Sequence, residues 1–241
     1  MARAVMVVPT YNEVDNLADL LARLRRCTPE VDVLVVDDAS PDGTGALADR
    51  LAADDPGIRV LHRPGKQGLG AAYAEAFVVA LDAGYELIGE MDADGSHQPE
   101  QLPRLLAAAR HADVVIGSRW VPGGSVVNWP WHRRALSRGG NLYTRMLLGI
   151  HVRDATAGFR VFRRQALETV HLERVQSHGY AFQVELVYLA LRAGLRVTEV
   201  PIEFVERARG DSKMTPEVAH ESLVRITRWG LRQRFGRSRR S

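Results

Sequence analysis

The chain has 241 residues, 46% of them hydrophobic, enough for one sizeable core, and an α/β sheet protein of this length is commonly a single domain. Its 32 basic and 29 acidic residues leave a net charge of +3, which excludes a polycation that coats nucleic acid with its whole surface. A lone cysteine, Cys27, excludes an intramolecular disulfide and fits a reducing compartment.

The opening MARAVMVVPTYNE turns polar too early for a signal peptide's apolar region. No later stretch approaches the roughly 20 apolar residues of a bilayer span, so membrane contact is expected to be peripheral. Short runs rich in valine and isoleucine predict strands at Ala4–Val8, Val31–Asp37, Ile58–His62, Glu86–Met91 and Ala112–Gly117. Between them, helical period predicts helices over Val14–Arg26, Thr44–Ala53, Gly70–Ala83 and Pro99–Ala109. In the first of these, Leu17, Leu20, Leu21 and Leu24 form an inward stripe. This alternation is the pattern of a largely parallel sheet covered by helices.

The second half reads differently. A Gly/Pro/Trp-rich loop, VPGGSVVNWPWHRR, leads into a helical stretch over Ala135–Leu148, then DATAGFRVFRR, a helix near Ala181–Arg192 and a strand over Arg196–Phe204. The segment ERARGDSK has charge and glycine without period and is expected to be a mobile loop. From residue 225 onward come Arg225, Arg228, Arg232, Arg234, Arg237, Arg239 and Arg240 with no acid among them, which suits an anionic surface or a solvated end.

Open parallel sheets bind ligands at the carboxyl ends of their strands. The polar clusters fall there: Pro9-Thr10-Tyr11-Asn12-Glu13, then Asp37-Asp38-Ala39-Ser40-Pro41-Asp42-Gly43-Thr44, then Asp92-Ala93-Asp94, then Gly117-Ser118-Arg119. Four loops on one edge define a single cleft. Asp92 and Asp94 are hard oxygen ligands spaced to reach one Mg²⁺ or Mn²⁺, which keeps waters and takes its other ligands from phosphates. Gly95 permits the turn behind them, and Pro99 starts the next helix. His97 suits a supporting or acceptor-side role better than ligation, since such oxygen sites rarely use imidazole. The chain has no GxxxxGK[ST] run, and GKQGLG at 65–70 lacks the GxGxxG spacing; Lys66 within it either approaches an anion or binds nothing.

In this order, PTYNE at 9–13, VDDASPDGT at 36–44, GLGAAYAEAF at 68–77, MDADGSHQPE at 91–100, GSR at 117–119, DATAGFRVFR at 154–163 and the R-x₅-K run from Arg207 to Lys213 resemble the catalytic domain of family-two glycosyltransferases with the GT-A fold. More narrowly, they are similar to the dolichol-phosphate or polyprenol-phosphate mannose synthases. The resemblance covers roughly residues 3 to 215 and implies a single Rossmann-like GT-A catalytic domain over 1–215, followed by a basic C-terminal helix and tail over 216–241. It implies that Pro9, Tyr11, Glu13, Val36 and Asp38 hold the guanine nucleotide, with Asp38 on base or ribose. Asp92, Ala93 and Asp94 would take the metal and the diphosphate, and Arg119 the mannose or the acceptor phosphate. Arg133 or Arg134, Arg207 and Lys213 would bring positive charge to the phosphates. Asp94, Arg119, Arg133 and Arg134 are thus the expected catalytic set. Where relatives often carry a metal-binding glutamine, this chain has Ser96, whose hydroxyl or bound water is the expected third ligand.

The implied reaction is inverting transfer of mannose from GDP-mannose to polyprenyl (dolichyl) phosphate, with Mg²⁺ or Mn²⁺, at the cytoplasmic face of the membrane. A lipid phosphate, with a second pKa of about 6, needs no dedicated base. The demand is electrostatic, and Arg119, Arg133, Arg134, Arg160 and Arg207 are expected to meet it in the cleft. Trp129, Trp131 and their arginines, with Leu142, Met146, Leu147 and Ile150, read as an interfacial segment, the last four equally as core. Anchoring is expected to fall to the arginine tail, the acceptor groove or a separate membrane-anchoring protein. Rival readings are a UDP-glucose-dependent polyprenyl-phosphate glucosyltransferase and a non-catalytic nucleotide-binding or nucleic-acid-binding protein; no nucleic-acid module is present.

Overall fold

A computed structural model describes residues 2–172, 175, 180–207 and 223–231. The first half alternates as its sequence pattern dictates: β1 (Ala4–Thr10), α1 (Val14–Cys27), β2 (Val31–Asp37), α2 (Thr44–Asp54), β3 (Ile58–His62), α3 (Leu69–Asp82) and β4 (Leu87–Glu90). A 3₁₀ turn at Pro99–Gln101 leads into α4 (Leu102–Ala108), then β5 (Val114–Ser118). The remainder comprises β6 (Ser125–Val127), α5 (Trp131–Leu148), β7 (Arg160–Arg163), α6 (Arg164–Val170), α7 (Tyr180–Arg192), β8 (Val197–Pro201) and β9 (Glu203–Val205).

Seven strands form one sheet in the order β3-β2-β1-β4-β7-β5-β8, parallel except for β7, which runs antiparallel between β4 and β5. Strand residues alternate between two cores, as the pleat requires. Val5 and Val7 of β1 face Tyr73, Phe77, Leu167 and Phe182 of α3, α6 and α7. Met6 and Val8 face the Leu17–Leu24 stripe of α1 with Leu102 and Leu105 of α4 on the other side. The sheet is thus buried on both faces, and its carboxyl edge is left to carry polar loops.

Three elements depart from expectation. The Gly/Pro/Trp loop contains β6, which pairs in parallel with β9, and DATAGFRVFRR contains β7. The single strand expected over Arg196–Phe204 divides at Ile202 into β8 and β9, which belong to different sheets. Residues 223–231 are helical and dock on the domain, with Ile226 buried in its core, Trp229 stacked on Tyr188 at 6.4 Å and Thr227 bonded to Tyr143 at 2.7 Å. Lys213 and the arginines beyond residue 231 lie outside the described residues.

Candidate functional site

The first two loops of the carboxyl edge are built as one unit. Asn12 turns the chain with φ +57°, and its N–H donates to Ser40 Oγ at 3.1 Å. The N–H of Glu13 donates to Thr44 Oγ1 at 2.9 Å and that of Val14 to Asp42 at 3.2 Å, so the second loop caps α1. Burial pushes the Asp42 carboxyl up, but its bonds from Thr44 and Val14 outweigh this and hold it below the usual range. Asp37 belongs to this framework, accepting from Thr10 Oγ1 at 3.2 Å and from Ser40 Oγ at 2.6 Å. Asp38 is buried against the guanidinium of Arg63.

Among the expected nucleotide residues, Pro9 and Tyr11 are half-buried on this edge, with Lys66 Nζ 4.2 Å from the centre of the Tyr11 ring. Glu13 is buried and accepts from Asn16 at 2.8 Å. Val36 can meet a nucleotide only through its backbone, since its side chain is 0% exposed in the core.

At the end of β4, Asp92 has a side chain 34% exposed, and Ala93 beside it is buried. Gly95 adopts φ +73°, as the expected turn needs. Gly158, just before β7, faces Asp92: a Cβ there would sit 3.2 Å from Asp92 Oδ2, so the glycine leaves that carboxylate its room. Asp94 is buried, with Arg207 Nη2 2.9 Å from Oδ2. Burial alone raises the Asp94 carboxyl, but Arg207 and the bonds from Ser96 hold it below the usual range. Ser96, the expected third ligand, sits directly against Asp94: its buried hydroxyl and its N–H both donate to Asp94 Oδ1, the N–H at 3.0 Å, so the serine orients the aspartate.

His97 is buried between Phe159 at 5.5 Å and Phe204 at 5.2 Å, and its Nδ1 accepts the Asp92 N–H at 3.4 Å. Burial pushes its pKa down to about 4, so the ring is neutral and supports the loop. Among the described residues no group of three or more His, Cys, Asp or Glu is placed to hold a metal. Two carboxylates fit Mg²⁺ or Mn²⁺, which fill their shells from water and phosphate, and do not fit a closed zinc site.

The five expected cleft arginines separate. Arg207 reaches Asp94, and Arg133 lies over Trp129 at 4.4 Å while pairing with Glu206, so both border the cleft. Arg134 is exposed and donates to the Val126 carbonyl at 3.1 Å. Arg119 is buried, donating to Asp154 at 2.8 and 2.6 Å within a surround of Trp120, Trp129 and Phe204. Its guanidinium braces the loop through Asp154. Arg160 leaves the set altogether: it is fully buried on β7, 3.3 Å from Glu90. The sequence carries no local signal for Arg63, which follows β3, while Asp154 and Glu206 open the DATAGFRVFR and ERARGDSK segments without their roles being evident there.

Residues 5–170 match the family described as "Glycosyl transferase family 2". Over 233 residues the chain is 54% identical to an undecaprenyl-phosphate mannosyltransferase of Micrococcus luteus, covering 97% of this chain and 96% of that one. It is 51% identical over 239 residues to a polyprenol monophosphomannose synthase of Mycolicibacterium smegmatis, covering 98% and 90%. A dolichol-phosphate mannosyltransferase of Pyrococcus furiosus is 34% identical over 92% of this chain and 62% of its own length. Among solved structures, glucosyl-3-phosphoglycerate synthase of Mycobacterium tuberculosis, in complex with Mn²⁺, UDP-glucose and phosphoglyceric acid, superposes with a TM-score of 0.68 at 20% identity, covering 98% of this chain and 80% of that one. That likeness places the sheet among GT-A folds. By its family match and by these near-full-length relatives, the chain belongs to glycosyl transferase family 2.

Proposed function

We propose that this protein transfers mannose from GDP-mannose to a polyprenyl phosphate, releasing GDP and leaving a β-linked mannosyl phosphate. The reading is carried by the 54% and 51% identity to two enzymes whose names state mannosyl transfer to undecaprenyl phosphate and synthesis of polyprenol monophosphomannose, joined to the paired carboxylates Asp92 and Asp94 at the end of β4. Asp92 and Asp94 would hold Mg²⁺ or Mn²⁺, and a divalent cation there would offset the charge of the donor diphosphate and of the departing GDP.

The protein's own residues do the rest. Tyr11, Glu13, Pro9 and Asp38 line the nucleotide end, with Val36 contributing main chain. Arg133 and Arg207 border the cleft on carboxylates, Glu206 and Asp94, and supply charge to incoming phosphates; Lys213 and Arg134 act with them. Arg119, bound to Asp154, keeps the GSR loop in place. The acceptor phosphate, largely a dianion at neutral pH, attacks the anomeric carbon directly, which inverts it. No general base is required, consistent with the buried, neutral His97.

Among the described residues no helix is long and apolar enough to cross a membrane. The lipid acceptor is met instead by α5, which has no acidic residue and exposes Trp131 (80%), Leu136 and Met146 beside Arg134 and Arg138. In this reading the protein works peripherally at the cytoplasmic face, alone or with a separate anchoring protein.

Transfer of radiolabel from GDP-mannose, with UDP-glucose run in parallel, into an organic-extractable product tests the reading, using purified protein, polyprenyl phosphate, Mg²⁺ or Mn²⁺ and an EDTA control. Metal-dependent label from GDP-mannose alone is expected. Label from UDP-glucose alone would overturn the donor. Asp94→Asn is expected to abolish turnover in saturating Mn²⁺ while the protein stays folded; near-normal activity would overturn the metal site.

A further inference from the structure

Arg63 has no part in the reaction as derived, yet it is built into the nucleotide end with unusual completeness. It follows β3, its side chain is 1% exposed, and all three sides of its guanidinium are engaged. Nη1 meets Asp38, Nε donates to Glu75 at 2.7 Å and Nη2 to Gln67 at 3.2 Å. Its N–H donates to the Asp37 carbonyl at 2.9 Å, so backbone and side chain both grip the end of β2. A buried ion pair of this kind adds little net stability over apolar packing. What it fixes is geometry, because a guanidinium fork sets the direction of each carboxylate it meets.

The place of Asp38 in the sheet gives that geometry a purpose. In the order β3-β2-β1-β4, the end of β2 lies two strands from the end of β4, about 10 Å at the usual strand spacing of about 4.8 Å. A nucleotide with its diphosphate at Asp92 and Asp94 crosses β1 and brings its base to β2 and β3. The same loop lays Lys66 over Tyr11 at 4.2 Å, so residues 63–67 brace two groups at that end.

We propose that Arg63 is a positioning residue for the donor base, clamping the Asp38 carboxylate as a fixed acceptor for guanine; this rests on the nucleotide-sugar reading above. A carboxylate held by a guanidinium accepts hydrogen bonds and donates none. Guanine offers it a ring N–H and an adjacent amino group, and uracil a single ring N–H. Adenine and cytosine present a ring lone pair at that position and are rejected.

The test is calorimetric binding of GDP, UDP, ADP and inorganic pyrophosphate in saturating Mn²⁺ to the full chain. Arg63→Gln is expected to weaken GDP by about tenfold and to narrow the gap between GDP and ADP, while pyrophosphate stays within about twofold of wild type. Arg63→Lys recovers part of the loss. Glu75→Gln, made from the exposed side of the cluster, keeps the fold and weakens GDP about threefold with pyrophosphate unchanged. GDP and pyrophosphate falling together, or a folded variant of either residue binding GDP as wild type does, overturns the proposal. Wild-type protein that binds pyrophosphate as tightly as GDP and UDP overturns the nucleotide-sugar reading, and the proposal with it.

Discussion

Asp94 is the residue on which the loop converges, and its two oxygens are treated differently. Oδ1 is fixed by Ser96, and Oδ2 faces the guanidinium of Arg207. Ser96→Ala removes the hydroxyl that orients Asp94 without touching its charge. The Mn²⁺ concentration for half-maximal rate is therefore expected to rise about tenfold, the low end of the roughly tenfold to hundredfold cost of losing a supporting bond to a metal ligand, with little change in kcat at saturating metal. An unchanged metal titration would sink this role for Ser96. The aspartates themselves were legible in the sequence, because Asp-x-Asp after an apolar run needs only the strand end to acquire meaning. The arginines were not. Arg119 and Arg160 read as free positive charge, and only the fold brings Asp154 and Glu90 against them. A charge in a sequence has a sign, but its partner is a tertiary fact.

Helix α5 shows the same limit one level up. Trp129 and Trp131 are two residues apart and read alike, yet Trp129 is buried against Phe204 at 5.3 Å while Trp131, at the first position of the helix, stands in solvent. The outward face carries Trp131, Leu142 and Met146, whereas Leu148 turns inward and Leu147 packs partly against the core. Trp131→Ser is expected to reduce co-sedimentation with anionic phospholipid vesicles about fivefold and to leave the melting midpoint unchanged. Trp129→Ala has the opposite signature: it destabilises the fold by about 3–5 kcal/mol, read in denaturant, because it empties a packed site. Equal loss of vesicle binding in both variants would sink the assignment of the exposed face. The long, strongly periodic elements α1 to α3 and β1 to β3 were readable because each declares its own inward face. β6, β7 and β9, of three or four residues each, were not, since their strand character comes from the neighbour they pair with.

Over the whole molecule, two buried groups set a pH dependence of opposite sense. His97 is pushed down to about 4 by burial, so the stability tied to it is present above about pH 6.5 and is lost as pH falls toward 4. Glu90 is pushed up to about 8 by burial against the pull of Arg160, so its contribution is full below about pH 4.5 and is lost as pH rises through 8. Below about pH 6.5 the two contributions oppose each other, and above it the Glu90 contribution falls as pH rises toward 8. Glu90→Gln should flatten that alkaline fall in denaturant titrations; an unchanged slope would refute the assignment. The sheet that holds these groups also dictates an order of assembly. β4 and β5 share no ladder; each pairs with the antiparallel β7, which arrives about 70 residues after β4 along the chain. A ribosome-bound chain ending before Arg160 therefore presents β4 as an open, apolar edge, with Gly158 not yet in place beside Asp92. Closure of the sheet and completion of the cleft are one late, long-range folding event, and a nascent chain stalled before it is the species most exposed to aggregation.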